Sequence, residues 1–231
     1  MNNDHPSLVE GFFMNETTVM IFANGDLQNP GKIKQMATRA EKIIAADGGL
    51  VHIQELGLTP DLLIGDLDSV TPEQIRWAEE QGAEVRRFSP DKDETDLELA
   101  LMAAAETGVR QILVVAALGG RLDQTLSNIF LLNLPVLANL DVRIDDGQQE
   151  VILVRESIDL TGQEGELVSM LPLSPIVRGI TTTGLKYPLE DASMVFYHSR
   201  GISNRMTGDK ARIEFQSGIL ICMHERKDDT K

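Results

Sequence analysis

From Thr18 to about Asp146 the chain alternates between short apolar runs rich in β-branched residues and stretches with helical spacing. Residues 18–23, 42–46, 62–64, 85–88 and 111–118 read as strands. Between them, Thr71-Pro72-Glu73-Gln74 has the form of a helix start, with a Thr cap, Pro at the first helical position and Gln closing a capping box. Thr95-Asp96-Leu97-Glu98 repeats that form, and Leu97, Leu101 and Ala104 then recur at helical spacing up to Gly108, a natural C-cap. Strand alternating with helix predicts a parallel sheet covered on both faces.

The texture changes near Asp145-Asp146-Gly147-Gln148-Gln149, where the domain boundary is expected. Beyond it, residues 151–154, 167–171, 176–183, 194–197, 211–215 and 219–224 form short strand-like runs broken by Gly, Pro, Asn and Asp, the spacing of an all-β sandwich or barrel. The expected organisation is a disordered leader over 1–17, an α/β domain over 18–146, a β domain over 147–225 and a disordered tail over 226–231. The leader lacks a basic start and does not read as a signal peptide, and Met14 is a candidate alternative start.

Composition narrows the function. A net charge of −15 without a basic stripe argues against nucleic acid as a partner. Most of this acidity serves solubility, whereas carboxylates gathered at one place serve a divalent metal or a cationic substrate. The single cysteine, Cys222, lies in the apolar run Ile219-Leu220-Ile221-Cys222-Met223 and reads as a buried, inert thiol, in keeping with a reducing cytoplasm. The four histidines are too scattered for a zinc site, and no run is long enough for a transmembrane helix.

In an open parallel sheet, ligands collect beyond the carboxyl ends of the strands. The residues that follow the first-half strands are Asn24-Gly25-Asp26, Asp47-Gly48-Gly49, Gly65-Asp66-Leu67-Asp68-Ser69, Asp91-Lys92-Asp93-Glu94-Thr95-Asp96 and Gly119-Gly120-Arg121-Leu122-Asp123. Singly, each has an ordinary explanation: Asp96 complements a helix dipole, Thr95 caps a helix, and Gly-Gly marks a turn. Together they bring carboxylates to one edge, where mutual repulsion is relieved by a bound Mg²⁺. Gly25, Gly48, Gly49, Gly119 and Gly120 allow close backbone approach to a phosphate, and Lys92 and Arg121 supply cations for its oxygens. This combination fits metal-assisted phosphoryl transfer. Neither a Walker A motif nor a Gly-x-Gly-x-x-Gly fingerprint is present.

These motifs, with Ala46-Asp47-Gly48-Gly49, Lys92-Asp93-Glu94-Thr95-Asp96-Leu97-Glu98 and Gly201-Ile202-Ser203-Asn204, resemble the thiamine pyrophosphokinase family in kind and order from residue 23 to about 204. The resemblance implies a Rossmann-like parallel-sheet domain followed by a C-terminal β-sandwich, in a cytoplasmic homodimer that holds thiamine between subunits. It implies that Asp66, Asp68, Asp93 and Asp96 surround Mg²⁺ and the ATP phosphates, with Asp47 close by. It further implies that Asn24, Gly25, Asp26, Gly48, Gly49, Lys92, Thr95, Asn128 and the loop from Gly119 to Asp123 serve the nucleotide. Ser203 and Asn204 would contact the pyrimidine of thiamine from the partner chain.

The reaction so implied is attack of the thiamine hydroxyl on the β-phosphorus of ATP, with AMP leaving. Asp68, Asp96, Arg121 and Asp123 are the expected catalytic residues, with Asp123 or one of the metal-site carboxylates as the candidate base. Two departures from the family pattern stand out: Gln124 replaces a frequent His, and the only Trp, Trp77, lies in the helix after Asp68 and reads as a packing residue. Two other readings are an aspartyl-phosphate phosphatase built on Asp66-Leu67-Asp68 and a nucleotide- or thiamine-sensing module. The first leaves the Asn24, Asp47 and Gly119 loops unexplained, and the second has no need of so many carboxylates.

Overall fold

A computed structural model describes residues 17–227, so most of the leader and the last four residues of the tail lie outside the described residues. The chain divides between Gly147 and Gln148 into two units.

The first unit alternates strand and helix: β1 (Thr18–Phe22), α1 (Pro30–Ala37), β2 (Lys42–Ala46), α2 (Gly49–Glu55), β3 (Leu62–Gly65), α3 (Pro72–Glu80), β4 (Glu84–Arg87), α4 (Asp96–Glu106), β5 (Gln111–Val115), α5 (Leu122–Leu131) and β6 (Asp141–Asp145). All its strand pairs are parallel, in the order β6-β5-β1-β2-β3-β4. Every residue of β1, β3 and β5 is buried. Successive side chains point to opposite faces, so both faces of the central strands are covered. The chain adds β2, β3 and β4 on one side of β1 and then crosses to its other side. That reversal opens a crevice at the carboxyl ends of β1 and β5.

The helix ends follow their sequence signals. Thr71 makes a complete capping box with Gln74. The Thr95 hydroxyl accepts from the Glu98 N–H at 3.2 Å, and α4 ends at Thr107 before Gly108, whose φ is 76°. Two strands depart from expectation. β5 stops at Val115 rather than Leu118, because Ala116 takes a φ of 54° and turns the chain out of the sheet. β6 carries Asp141, Arg143 and Asp145, and its polarity hides it from a search for apolar runs.

The second unit is all-β. Strands β7 (Gln149–Val154), β9 (Leu167–Pro172), β12 (Asn204–Arg205) and β14 (Leu220–Glu225) pair antiparallel in the order β12-β9-β14-β7. Strands β8 (Ser157–Thr161), β10 (Ile176–Thr183), β11 (Ala192–Val195) and β13 (Lys210–Glu214) pair antiparallel in the order β11-β10-β13-β8. Both sets contribute to one core that includes Ile152, Met170, Cys222, Val177, Ile180 and Ile213. The alternation is clean in β13, where Ala211 and Ile213 are buried between exposed neighbours. Cys222 is fully buried, as its apolar run implies. Arg226 and Lys227, expected in the disordered tail, are held by their backbones: the Arg226 N–H donates to the Gln148 carbonyl at 2.9 Å, and the Lys227 N–H to Glu166 Oε1 at 3.0 Å.

Candidate active site

The carboxyl ends of the first unit's strands open into a cavity of about 630 Å³. The loop after β1 supplies Asn24, Gly25 and Asp26, β2 leads to Asp47, and β3 leads to Asp66, Asp68 and Ser69. The approach to α4 adds Lys92, Glu94, Thr95 and Asp96, and the segment after β5 adds Gly119, Gly120, Arg121, Gln124 and Asn128.

At its centre, carboxylate oxygens of Asp47, Asp66 and Asp68 all lie within 4.8 Å of one another. Asp66 and Asp96 are tied through the backbone: the Asp66 N–H donates to Asp96 Oδ1 at 3.2 Å. The Asp68 N–H donates to Asp66 Oδ1 at 3.2 Å, and the Ser69 hydroxyl to Asp68 Oδ1 at 3.0 Å. Three of the five non-glycine residues with positive φ among those described, Asp47 (45°), Leu67 (65°) and Ala116 (54°), stand in the loops that build this site.

Burial pushes the Asp47 carboxyl above its usual range; Ser69 and Gly48 offset this in part, and the charge on Asp96 adds to it. Asp47 Oδ1 is buried and has no hydrogen-bond partner. A buried acceptor without a donor, beside two further carboxylates, is the donor set that a hard divalent cation such as Mg²⁺ takes. Lys92 Nζ stands 2.9 Å from Asp96 Oδ1 and 3.6 Å from Asp66 Oδ2. Burial alone would lower the ammonium's pKa, but Asp96 and Asp66 outweigh it and raise it above the ordinary lysine value.

Most of the residues singled out from the sequence line this cavity. Asp93 is exposed and does not, while Asp47, expected only nearby, belongs to the central carboxylate group. Gly48 and Gly49 are outside the lining and serve packing: a Cβ at Gly48 would overlap the Asn24 side chain, and one at Gly49 the Phe22 carbonyl. Thr95 is an N-cap, and Asn128 is buried with its Nδ2 donating to the Ala117 carbonyl at 2.8 Å. Asp123 is bound to Arg121 through two hydrogen bonds of 3.1 and 2.5 Å, and that guanidinium holds its carboxyl below the usual range. A carboxylate so paired is a weak base.

In the second unit, Ser203 is exposed with a φ of 58°, and its N–H donates to Ser169 Oγ at 3.0 Å. Asn204 is buried, and its amide is spent on the backbone of Tyr187: Oδ1 accepts from the Tyr187 N–H at 3.0 Å and Nδ2 donates to its carbonyl at 2.8 Å. Sequence reasoning did not single out Ser69, which lines the cavity, or His52, whose Nε2 lies 2.9 Å from the Gly25 carbonyl. Ser69 lay within a quoted motif, whereas His52 carries no local signal beyond its place three residues after Gly49.

The comparisons with known proteins agree along the chain. Residues 33–144 match the family described as "Thiamin pyrophosphokinase, catalytic domain", and residues 152–220 match "Thiamin pyrophosphokinase, vitamin B1 binding domain". The chain belongs to the thiamin pyrophosphokinase family. Thiamine pyrophosphokinase of Bacillus subtilis (strain 168) is 32% identical over 180 residues, which span 77% of this chain and 84% of that protein. A crystal structure of the Bacillus subtilis thiamine pyrophosphokinase superposes with a TM-score of 0.81 at 29% identity, covering 92% of this chain and all of that one. That of thiamin pyrophosphokinase from Geobacillus thermodenitrificans gives 0.75 at 26% identity, covering 93% and 99%. Among the described residues, no helix is long and apolar enough to cross a membrane.

Proposed function

We propose that the protein transfers a diphosphate from ATP to the hydroxyl of thiamine in the cytoplasm, with residues 18–146 as the ATP- and Mg²⁺-binding domain and residues 147–225 as the thiamine-binding and dimerising one. The observation that carries this reading is the meeting of Asp47, Asp66 and Asp68 within 4.8 Å at the strand ends of a family member. The reversal of strand order about β1 supports reading the first domain as Rossmann-like. The two antiparallel sets that share one core support reading the second as a β-sandwich.

In this reading the thiamine oxygen bonds to the β-phosphorus as the β-phosphorus–oxygen bond to AMP breaks, and the hydroxyl proton is lost to solvent. Asp47, Asp66 and Asp68 would hold Mg²⁺, with Asp96 beside them; when bound, the ion neutralises charge on the phosphate oxygens. Lys92 and Arg121 bind the same oxygens. The loops at Gly25 and Gly119–Gly120 bring backbone close to the nucleotide. Such transfers need little base assistance, which fits an Asp123 already paired with Arg121. The working form is read as a homodimer in which Ser203 contacts thiamine.

The test is to incubate the protein with ATP, Mg²⁺ and thiamine and to identify the products by mass. Thiamine diphosphate and AMP in equal amounts, both lost on chelation, are expected. ADP or inorganic phosphate in their place would overturn the proposal.

A further inference from the structure

Gly25, in the loop after β1, is held at both of its backbone polar groups. Its N–H donates to the Ala116 carbonyl at 2.7 Å, and its carbonyl lies 2.9 Å from Nε2 of His52. A carbonyl only accepts, so the imidazole hydrogen sits on Nε2 and is donated to Gly25. The glycine is also confined sterically, since a Cβ there would lie 2.5 Å from the Ala116 carbonyl and 3.1 Å from that of Leu118.

His52 reaches this carbonyl from α2. It stands between Leu50 and Ile53, both fully buried, and its side chain is only 16% exposed. Its Nδ1 is buried without a hydrogen-bond partner, and the carboxylate of the exposed Glu55 lies 4.0 Å from it. A half-buried imidazole with one nitrogen unsatisfied gains little for packing that a leucine would not provide. What it does provide is a directed donor to one backbone oxygen. The effect reaches further round the cavity, because Asp26, next after Gly25, has its carboxylate against Gly119, where a Cβ would come within 2.6 Å of Oδ2. Both flanking loops line the cavity, and His52 does not.

We infer that His52 is a positioning residue for nucleotide binding: by donating to Gly25 it holds the Asn24-Gly25-Asp26 loop, and through Asp26 the Gly119 turn, in the shape that receives ATP. This rests on the reading of the cavity as the ATP site. A lost donor leaves the Gly25 carbonyl without a partner and the loop free to shift, weakening a ligand that needs both loops.

The experiment compares the full-length wild type with His52→Leu and His52→Gln, whose side-chain amide can still donate. Steady-state kinetics are measured with ATP and thiamine varied separately, alongside calorimetric titration with a non-hydrolysable ATP analogue and Mg²⁺, and thermal melting. His52→Leu is expected to raise the KM for ATP and the analogue's Kd roughly ten-fold, with kcat and the KM for thiamine within about three-fold. His52→Gln is expected to recover most of that loss. An unchanged KM and Kd for nucleotide in His52→Leu would overturn the inference. So would a loss shared by both substrates and by the melting temperature, with no recovery in His52→Gln, since that marks a general structural role. If the wild type binds the analogue but forms no thiamine diphosphate, the proposed reaction fails while the Kd comparison still decides the role of His52.

Discussion

Lys92 Nζ stands 2.9 Å from Asp96 Oδ1, so an ammonium sits among the carboxylates proposed to face the metal. It also reaches Asp66 at 3.6 Å, and its side chain is only 11% exposed. Such a cation offsets the repulsion of clustered acids before any ligand arrives, and it competes with a divalent ion for the same oxygens. Lys92→Met is therefore expected to bind Mn²⁺ more tightly than the wild type without nucleotide, by roughly ten-fold, or about 1.4 kcal/mol. Turnover should fall, because the variant loses the cation proposed to bind the phosphate oxygens. Calorimetric titration with the metal alone checks the first point, and weaker binding in the variant would contradict it.

Gly65, which ends β3, has a φ of 151°, and a Cβ there would stand 2.9 Å from Asp96 Oδ1 and 3.0 Å from the Asp47 Cβ. Gly65→Ala should displace one of these carboxylates. The expected cost is about 1–3 kcal/mol of stability and a loss of at least roughly ten-fold in kcat/KM. Thermal melting and initial rates test both.

Much of this site was legible because chemistry at the edge of a parallel sheet is written in contiguous loops. Asp66, Asp68, Lys92 and Asp96 could be read directly, as could the Thr71 and Thr95 caps. Asp47 was expected only nearby yet stands in the carboxylate group, and Asp93 is exposed outside the cavity lining, because the depth of a carboxylate depends on the left-handed turn at Asp47 and on the course of the loop before α4, and neither is local in sequence. His52 was invisible for the same reason: its partner is a backbone carbonyl 27 residues away. In the second unit, β8 and β12 escaped notice because a short or half-exposed strand lacks the apolar run that marks the others.

Glu166 and His224 form a buried pair, with Nε2 2.8 Å from Oε2. Burial opposes charge on Glu166, yet the His224 ring and the N–H groups of Lys227 and Gln163 outweigh it and hold the carboxyl below the usual glutamate range. A folded-state pKa below the unfolded one adds stability above the unfolded pKa, and that stability is lost as pH falls through the folded value. Urea unfolding from pH 7 to 3 should show this loss at the acid end, as pH falls below the ordinary glutamate range. In Glu166→Gln the acid-dependent part should shrink. An unchanged pH profile in the variant would contradict the assignment.

Tyr187 is 61% exposed, is tied by its backbone to Asn204, and has the Lys186 ammonium 5.5 Å from its ring centroid. A ring already accepting a cation is suited to the thiazolium, in a domain that lacks tryptophan. Tyr187→Ala is expected to raise the KM for thiamine about ten-fold, and Tyr187→Phe to change it little. The KM for ATP should stay the same in both, and kinetics with each substrate varied in turn provides the check.

The central claim is that the carboxylates at the strand ends carry the transfer. Its most direct test is the rate of thiamine diphosphate and AMP formation by Asp66→Asn and Asp68→Asn beside the wild type, with circular dichroism to verify folding. A fall of roughly three orders of magnitude in both products, with the fold unchanged, is the predicted result. Near-normal rates in these folded variants would contradict the account and remove the cluster from the chemistry.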